Sequence, residues 1–454
     1  MPTKRAPRVS IIIPSHNRRA RLILALEAIA RQRFPLETVE VIVVADGCHD
    51  DTVAAVTAFS APFALRVTEL PGVGPAIARN RGVELASAPL LLFLDDDVEP
   101  LDQWIGAHVK AHETHPGSAV IGPYPPWPDG SRDEFRALVR NWWMAHFDEL
   151  SRPGHRFTYR DMLTGNLSMT RETWAGLGGF DPDFARAHED WELGVRVIDA
   201  RIPIVYAERA FCWHHEHETM TLEGALRRAR EEGRTDVRLG RKHPHVGADL
   251  PLVAHWRAGG LAGRIGRLAF AVRGVGEGLA RTSASLTESL RRFPSSPVFQ
   301  KAYGMAQRFA YLRGAAEELR SLTALGDFAG SFPARKARSI LVDLADGIDE
   351  AERKLARERP DDARLMYGHN DVGWLPYAPG AERWDARHLR PYLAGEMSGA
   401  MLYALLTAGA LMRPRDEEAE CAAGPSSRAW GHLNKKGYFP ALGESLDQWS
   451  DSGL

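Results

Sequence analysis

The first 110 residues of the chain alternate short, uninterrupted apolar runs with segments of helical periodicity. Four strands are predicted by the runs RVSIIIP, EVIVVAD, LRVTEL and PLLLFLDDD, because continuous aliphatic and β-branched residues are typical of strands buried on both faces. Three intervening helices are predicted by RRARLILALEAIARQ, DDTVAAVTAF and GPAIARNRGVELA. This alternation indicates a parallel, doubly wound α/β sheet.

The alternation continues less regularly to about residue 220. MLTGNLSMTRETWAGLGGFDPDF predicts a strand, a helix and a glycine turn, HEDWELGVRVIDA a helix, and IPIVYAE a last strand before the His-rich loop FCWHHEHETM. Later segments, including SILVDLADGIDEAERKLARER, predict helices only. We therefore predict an α/β domain over residues 1–250 and a mainly helical domain over residues 251–454.

Composition narrows the class of protein. The 454-residue chain is 44% hydrophobic and 26% charged, as in ordinary globular proteins, and its net charge of -2 predicts no nucleic-acid partner. Three widely spaced cysteines argue against a disulfide framework and fit a reducing, cytoplasmic compartment. The most apolar stretch, residues 393–412, is interrupted by Glu396 and predicts a buried helix and no transmembrane segment.

Polar motifs follow three of the predicted strands, namely PSHNR, ADGCHDD and LDDDV. In a sheet of this kind, ligands bind beyond the carboxyl ends of the strands. Asp95, Asp96 and Asp97 would repel one another there, so a cation is expected, and a divalent metal that holds a diphosphate would supply it. A solvated acidic turn or a helix N-cap is the alternative.

Seven segments resemble, in order, the family 2 glycosyltransferases over about residues 8–220: VSIIIPSHNR, VVADGCHDDT, GPAIARNRG, LLLFLDDDVEP, TGNLSMTRE, GLGGFDPDF and HEDWELGVR. The resemblance implies the GT-A fold, which is a Rossmann-like, mixed but mostly parallel sheet with helices on both faces. It also implies an enzyme that moves a sugar from a nucleotide-sugar, with UDP as the first candidate nucleotide, to an acceptor. Such enzymes usually require Mn²⁺ or Mg²⁺ and invert the anomeric carbon.

The resemblance assigns roles to the acidic residues. Asp95 and Asp97 match the two acids of the family's DXD motif, which implies that Asp97 coordinates metal and that Asp95 contacts ribose or assists the metal. Asp96, the middle residue, is expected to tolerate change. Glu189 and Asp190 match the family's ED motif, so Asp190 is the predicted general base and Glu189 the second candidate. An acidic first helical turn would otherwise explain this pair.

The nucleotide pocket is predicted at the ends of the first two strands. Pro14, His16 and Asn17 end the first strand and would line the pocket. Asp46 matches the position that meets the nucleobase, although a plain turn also suits it. Ala45 and Cys48, beside Asp46, depart from the acid and the serine that many members carry there.

Two residues of the third predicted helix, Arg79 and Asn80, match an ARN motif that faces the nucleotide in the family. Arg79 would meet phosphate, with a surface ion pair as the alternative. Asn166 in TGNLS and the aromatic Trp142, Trp143 and Trp191 would flank the sugar and the acceptor, although most buried tryptophans belong to the core.

The segment WHHEHE is the densest histidine cluster of the chain. In the family a histidine after the last strand completes the metal shell, which makes His214 and His215 the candidates and His217 a third. Zinc binding by the cluster alone is a rival, although the helical HExxH spacing is absent. A solvated histidine-rich loop is the remaining alternative.

Two other functions are considered. A nucleotidyltransferase would share the sheet and the acidic site but would carry a Gly-rich basic loop where this chain has PSHNRR. A non-catalytic carbohydrate-binding or scaffold protein would not need intact Asp95, Asp97 and Asp190. The acceptor class, whether saccharide, lipid-linked, natural product or peptide, stays open, and the C-terminal region is expected to bind the acceptor or form a homodimer. An Arg-rich helix over residues 257–281 suggests peripheral membrane contact, with a solvated face as the alternative.

Overall fold

The computed structural model describes residues 6–128, 133–185, 187–215, 221–291, 297–332, 337–408 and 410. The strands of the main sheet are β1 (Val9–Ser15), β2 (Val39–Asp46), β3 (Ala64–Leu70), β4 (Leu90–Leu94), β6 (Ala119–Ile121), β7 (Asn166–Thr170) and β8 (Ile204–Tyr206). A separate two-stranded ribbon pairs β5 (Val98–Pro100) with β9 (Cys212–His214). The four strands predicted in the first 110 residues are confirmed.

The main sheet has the order β3-β2-β1-β4-β7-β6-β8. Strands β1 to β4 pair in parallel, β7 runs antiparallel to both β4 and β6, and β6 and β8 are parallel. The predicted mixed, mostly parallel sheet is therefore confirmed. Strands β2 and β4 are buried at every position, because helices cover both faces of the sheet.

Helices connect and surround the strands. Those of the sheet region are α1 (Arg19–Ala30), α2 (Thr52–Ala58), α3 (Pro75–Leu85), α4 (Trp104–Thr114), α5 (Glu134–Ser151), α6 (Arg171–Leu177) and α7 (Glu189–Asp199). A helical layer follows, with α8 (Leu222–Lys242), α9 (Pro244–Gly247), α10 (Pro251–Arg257), α11 (Gly260–Ala271), α12 (Arg273–Leu290), α13 (Pro297–Leu319) and α14 (Leu322–Gly330). Short 3-10 turns lie at Leu36–Thr38, Tyr159–Asp161 and Pro182–Phe184.

The helical layer shares a core with the sheet region. Tyr159, Phe184 and Val195 pack in one buried cluster with residues of α8 and α13, such as Val237 and Leu312. Close approach of α8 and α13 depends on glycine, since a Cβ at Gly233 would lie 2.0 Å from the carbonyl oxygen of Tyr311. The helical layer is thus packed against α7, which carries Val195.

The chain divides into two compact units, the first formed by residues 1–151 and 157–334 and the second by residues 152–156 and 335–454. The predicted division at residue 250 differs from this one because the helices after that residue contribute to the core that Phe184 and Val195 share. The division into a catalytic domain over residues 1–250 and a mainly helical domain over residues 251–454 stays a prediction.

The second unit contains a three-stranded sheet of β10 (Ser339–Asp343), β11 (Asp362–Tyr367) and β12 (Asn370–Leu375), with helices α15 (Ile348–Glu358), α16 (Ala386–Ala394) and α17 (Ser398–Thr407). A 3-10 turn at Leu344–Asp346 joins β10 to α15. The prediction of one helix across SILVDLADGIDEAERKLARER is therefore wrong at its start, because SILVD pairs in parallel with β11.

Two predicted long helices are interrupted. The Arg-rich segment 257–281 is divided by Ala258–Gly259 and by Val272, so the continuous basic face that suggested membrane contact does not form. The apolar segment 393–412 breaks near Gly395, and its second part leaves Tyr403 67% exposed. Among the helices of the described ranges, none has the length and apolar character needed to cross a bilayer.

Candidate active site

The loops after β1 and β2 meet at the carboxyl edge of the sheet. Asn17, with φ of 54°, turns its side-chain oxygen to accept a hydrogen bond of 2.7 Å from the backbone N–H of His49. The ring Nδ1 of His16 lies 2.6 Å from the carbonyl oxygen of Asp46. Pro14 is partly exposed beside them at the end of β1. The residues predicted to line a nucleotide pocket are thus brought together.

Asp46 organises the loop after β3. Its Oδ1 accepts backbone hydrogen bonds from Gly72 and Val73 at 2.9 and 2.8 Å, and its Oδ2 accepts one from Gly74 at 2.7 Å. These hydrogen bonds hold residues 72–74 against the end of β2. Asp46 therefore shapes the loop after β3, and its contact with a nucleobase stays a prediction.

Arg18 neutralises two of the three consecutive aspartates. Its Nη1 lies 3.0 Å from Oδ1 of Asp96 and 2.7 Å from Oδ2 of Asp97. Burial lowers the pKa of the guanidinium, but the charges of Asp97 and Asp96 outweigh it and raise that pKa. Asp96 also accepts a hydrogen bond from the Ser15 hydroxyl at 2.8 Å and is 4% exposed. Asp96 thus holds the end of β1, which argues against the expectation that this residue tolerates change. Its desolvation raises its pKa to about 6.

Arg79 joins the acidic turn to the ED motif. This arginine is 3% exposed, and its two terminal nitrogens reach Oδ1 of Asp95 at 2.6 Å and Oε1 of Glu189 at 3.0 Å. The sequence predicts that Arg79 contacts phosphate, with a surface ion pair as the alternative. The structure shows a third arrangement, because the guanidinium is buried between two carboxylates. Glu189 is consequently committed to an ion pair.

Asp190 differs from its neighbour in its contacts. Its Oδ1 accepts a hydrogen bond of 2.8 Å from the backbone N–H of Trp191, and no ion pair of the described residues engages it. The residue is partly exposed, yet the atoms around its carboxyl group desolvate it and raise its pKa to about 7, with the charge of Glu189 adding to the effect. A carboxyl group with these properties suits a general base near neutral pH.

Pairing of β5 with β9 brings the histidine cluster to the acidic turn. Val98 lies opposite His214, whose Nε2 is 3.6 Å from Oδ1 of Asp97. The Nε2 of His215 instead lies 3.1 Å from Oε2 of Glu99. The geometry therefore favours His214 over His215 as the partner of Asp97. His217 lies outside the described residues.

The donor set fits a divalent cation that is shared with a ligand. Two atoms bound to one cation at about 2.1 Å are roughly 3 Å apart when they subtend a right angle, which is close to the separation of Asp97 and His214. Within the described ranges, no group of three or more His, Cys, Asp or Glu side chains could hold a metal alone. Diphosphate oxygens and water would complete such a shell, as is common for Mg²⁺.

Asn166 belongs to the core. Its Oδ1 lies 2.7 Å from Nε1 of Trp104 and 2.9 Å from Nε2 of His108, and its Nδ2 donates to the carbonyl oxygens of Pro123 and Ala210 at 3.2 and 2.7 Å. The side chain is fully buried, so no polar atom remains for a sugar. The prediction that Asn166 flanks the sugar is wrong for this reason.

Replacing Asn166 with Ala is expected to lower the free energy of unfolding by about 3 kcal/mol, because several buried donors and acceptors would lose their partner at once. Chemical denaturation followed by tryptophan fluorescence would measure the loss. Asn141→Ala, on the exposed side of α5, is the control and should change stability by less than about 0.5 kcal/mol. Equal stability of the two variants would contradict this description of Asn166.

Two other predicted residues have mainly structural contacts. The side-chain amide of Asn80 forms two hydrogen bonds with the backbone of Phe180, at 2.8 and 2.9 Å, and so fixes the glycine turn before α7. Trp191 packs at the edge of the helical-layer core and stacks on His188. Of the other aromatics, Trp143 is buried beside Tyr124, which supports the core alternative for that ring.

Three residues at the site escaped prediction. Arg18 is part of the PSHNR motif, but only the structure shows that it meets the aspartates. Gly165 approaches Asp95 so closely that a Cβ would lie 2.9 Å from its Oδ2 and 2.9 Å from the ring of Tyr124. The ring of Tyr124 also packs 5.3 Å from that of His214. Of these three, only Gly165 could have been found from the sequence, because a glycine permits other groups to approach the backbone closely.

Comparison with known proteins agrees with these features. The family model for glycosyl transferase family 2 matches residues 10–175. Validoxylamine A glucosyltransferase from Streptomyces hygroscopicus subsp. jinggangensis is 31% identical over 243 residues, which are 48% of this chain and 57% of that protein. An uncharacterized glycosyltransferase of Bacillus subtilis, YfnE, is 25% identical over 260 residues, or 46% of this chain and 65% of that one. The chain spans about half the length of the validoxylamine A glucosyltransferases that it matches.

A mannosyltransferase from Pyrobaculum calidifontis, solved with GDP-Man and Mn²⁺, is a structural match with a TM-score of 0.40 and 20% identity, covering 69% of this chain and 87% of that one. Residues 1–349 of TarS from S. aureus, solved with UDP, match with a TM-score of 0.40 and 16% identity, covering 72% and 93%. The sheet order, the ordered motifs and the family match lead to one assignment. Over residues 10–175, this chain is similar to glycosyl transferase family 2.

Proposed function

We propose that this protein is an inverting, divalent-metal-dependent glycosyltransferase that moves a sugar from a nucleotide-sugar to an acceptor hydroxyl, with Asp190 as the general base. The observation that carries the proposal is the separation of roles within the ED motif. Glu189 is bound to Arg79, whereas Asp190 has a carboxyl group outside any ion pair of the described residues and a pKa raised to about 7.

The proposed reaction balances as follows. The acceptor oxygen forms a bond to the anomeric carbon as its proton passes to the carboxylate of Asp190. The bond between that carbon and the diphosphate oxygen breaks, and the electron pair leaves with the nucleoside diphosphate. Attack from the face opposite the leaving group inverts the anomeric centre.

Residues on the donor side would hold the diphosphate. A divalent cation, when bound, supplies Lewis-acid stabilisation of the leaving phosphate oxygens. Asp97 and His214 would be its protein ligands. Asp95 lies in the same turn and forms an ion pair with Arg79. Asp46 and the loops containing His16 and Asn17 would enclose the nucleoside.

Products of nucleotide-sugar turnover test the proposal directly. The purified chain would be incubated with UDP-sugars and GDP-sugars, with Mn²⁺ or Mg²⁺, and with a panel of hydroxyl acceptors. UDP-glucose is the first donor to test because one relative is named a glucosyltransferase. Release of nucleoside diphosphate with formation of a glycoside of inverted configuration is expected. Release of pyrophosphate would indicate a nucleotidyltransferase, and absence of turnover and of nucleotide binding would overturn the proposal.

The rate of transfer should depend on the protonation of Asp190. A general base acts in its ionised form, so kcat/KM is expected to fall about tenfold per pH unit below about pH 7 and to level off above it. Initial rates from about pH 5 to about pH 9, at saturating metal, would show this acidic limb. A profile that is flat down to about pH 5 would remove Asp190 as the base.

A further inference from the structure

His188 precedes the ED motif in an unusual backbone conformation. Its φ is 59°, in the left-handed region that only a few per cent of non-glycine residues adopt. The imidazole is nevertheless buried and stacks on the ring of Trp191, with centroids 4.0 Å apart and planes inclined by 9°. The conformation turns the histidine side chain into the protein just where α7 begins.

A fully buried carboxylate of the helical layer meets this ring. Asp236 of α8 places Oδ1 3.2 Å from Nδ1 of His188, and its Oδ2 accepts a hydrogen bond from the hydroxyl of Tyr311 on α13. The close packing of α8 on α13 at Gly233 fixes both groups. A carboxylate with no exposed surface requires a compensating charge or donors, and His188 and Tyr311 supply them.

The hydrogen bonds also define the state of the imidazole. Oγ1 of Thr235 lies 3.1 Å from Nδ1 of His188 and donates its own proton to the carbonyl oxygen of Glu231 at 3.0 Å. The threonine oxygen is therefore an acceptor toward the ring. Because Thr235 and Asp236 both present acceptors, Nδ1 carries the hydrogen, and further protonation at Nε2 makes the ring a cation.

We propose that His188 and Asp236 form a positioning pair for Asp190, in which the helical layer holds a histidine cation beside the base and keeps the base ionised and correctly oriented. This inference rests on the proposed role of Asp190 as the base. It assigns to the helices after residue 221 a part in the chemistry of the sheet region. Neither residue touches the substrate in this scheme, so both act only through Asp190.

The charges around the pair agree with this arrangement. Desolvation lowers the pKa of His188, but the pairing with Asp236 outweighs it and raises that pKa above its ordinary value, and the charges of Glu232 and Asp190 act in the same direction. Desolvation and the charge of Glu189 raise the pKa of Asp190, whereas the charge of His188 lowers it, as does that of Arg228 on α8. Arg160 places its guanidinium 5.6 Å from the centroid of the Trp191 ring.

Two substitutions remove the cation with little change of shape. His188→Asn suits the left-handed backbone, because asparagine tolerates that region better than most residues. Asp236→Asn is isosteric, keeps an acceptor for Tyr311 and removes the charge that stabilises the imidazolium. Loss of the cation makes ionisation of Asp190 harder, so the acidic limb of kcat/KM should move to higher pH by about 0.5 to 1 unit in both variants.

At about pH 6, kcat/KM of each variant should then fall roughly three- to tenfold more than it falls at high pH, where Asp190 is ionised in every variant. KM for the nucleotide-sugar should stay within about twofold of wild type. Glu318→Gln is the matched control, since it removes a carboxylate from α13 that pairs with Arg238 and does not touch His188. Its acidic limb should coincide with that of wild type. A merely structural role for the pair would lower kcat at every pH and leave the limb in place, which would overturn the proposal.

A measurement on the wild-type chain does not depend on turnover. Nuclear magnetic resonance of ring-labelled histidine, with the His188 signal identified by its loss in His188→Asn, would follow protonation of the imidazole directly. A midpoint above the ordinary histidine value of about 6.5 is expected, and a midpoint below it would contradict the pair. If instead Asp190→Asn kept full transfer, the proposed base would fail while this titration would still report on His188 and Asp236.

Discussion

Asp190→Asn is expected to reduce kcat for glycosyl transfer by roughly 10²- to 10⁴-fold, which is the usual contribution of a general base. The amide has the shape of the carboxyl group and can still accept the hydrogen bond from the backbone of Trp191, so the start of α7 should be preserved. It cannot accept the proton of the acceptor hydroxyl. Initial-rate kinetics with the donor identified in the screen would measure the loss.

Binding of the nucleoside diphosphate separates this effect from misfolding. Affinity of Asp190→Asn for UDP, measured by calorimetry, should stay within about twofold of wild type, since the change lies on the acceptor side of the sugar. Asp199→Asn, at the exposed end of the same helix, is the matched control and should keep full turnover. Unchanged turnover in Asp190→Asn would remove this residue as the base and leave Glu189 to be tested.

Loss of the metal ligands is expected to have the second large effect. Asp97→Asn and His214→Gln should each weaken Mn²⁺ binding in the presence of UDP by about 100-fold, because each removes one of the two proposed protein ligands. Electron paramagnetic resonance of free Mn²⁺ would measure binding without any need for turnover. In Asp97→Asn, Arg18 would also lose one of its two carboxylate partners.

His215→Gln distinguishes the two histidines of the cluster. His215 lies beside Glu99 and its pKa is lowered by desolvation, so the substitution should change Mn²⁺ affinity by less than about threefold. Equal loss of affinity in His214→Gln and His215→Gln would mean that the ribbon rearranges when the metal binds. Loss in His215→Gln alone would contradict the assignment of His214.

Much of the fold follows from local patterns. Strands β2 and β4 contain continuous apolar runs, residues 41–45 and 90–94, because both of their faces are covered. Polar residues follow both runs at the same edge of the sheet, so the position of the site could be predicted. The roles of single residues could not. Asn166 belongs to the TGNLS motif, from which a place beside the sugar is predicted. Its side-chain amide is instead fully hydrogen-bonded to residues distant in sequence, such as Trp104 and the carbonyl oxygen of Ala210.

Long-range pairing explains the other differences. The choice between His214 and His215 depends on the register of β9 against β5, which no local periodicity encodes. The run SILVD predicts the start of a helix because its three apolar residues, placed before a helical segment, are too few to show a distinguishing period. Its strand character comes from its partner β11, which begins 23 residues later at Asp362.

The shared core of the sheet region and the helical layer has a consequence for recombination. A chimera that exchanges the segment after residue 250 would cut between Val237 and Phe270, which lie in one buried cluster with Phe184. The segments before and after residue 250 would then come from different proteins, and their buried apolar surfaces would not be complementary. A crossover near residue 334 would keep Val237, Phe270 and Phe184 in the same inherited segment.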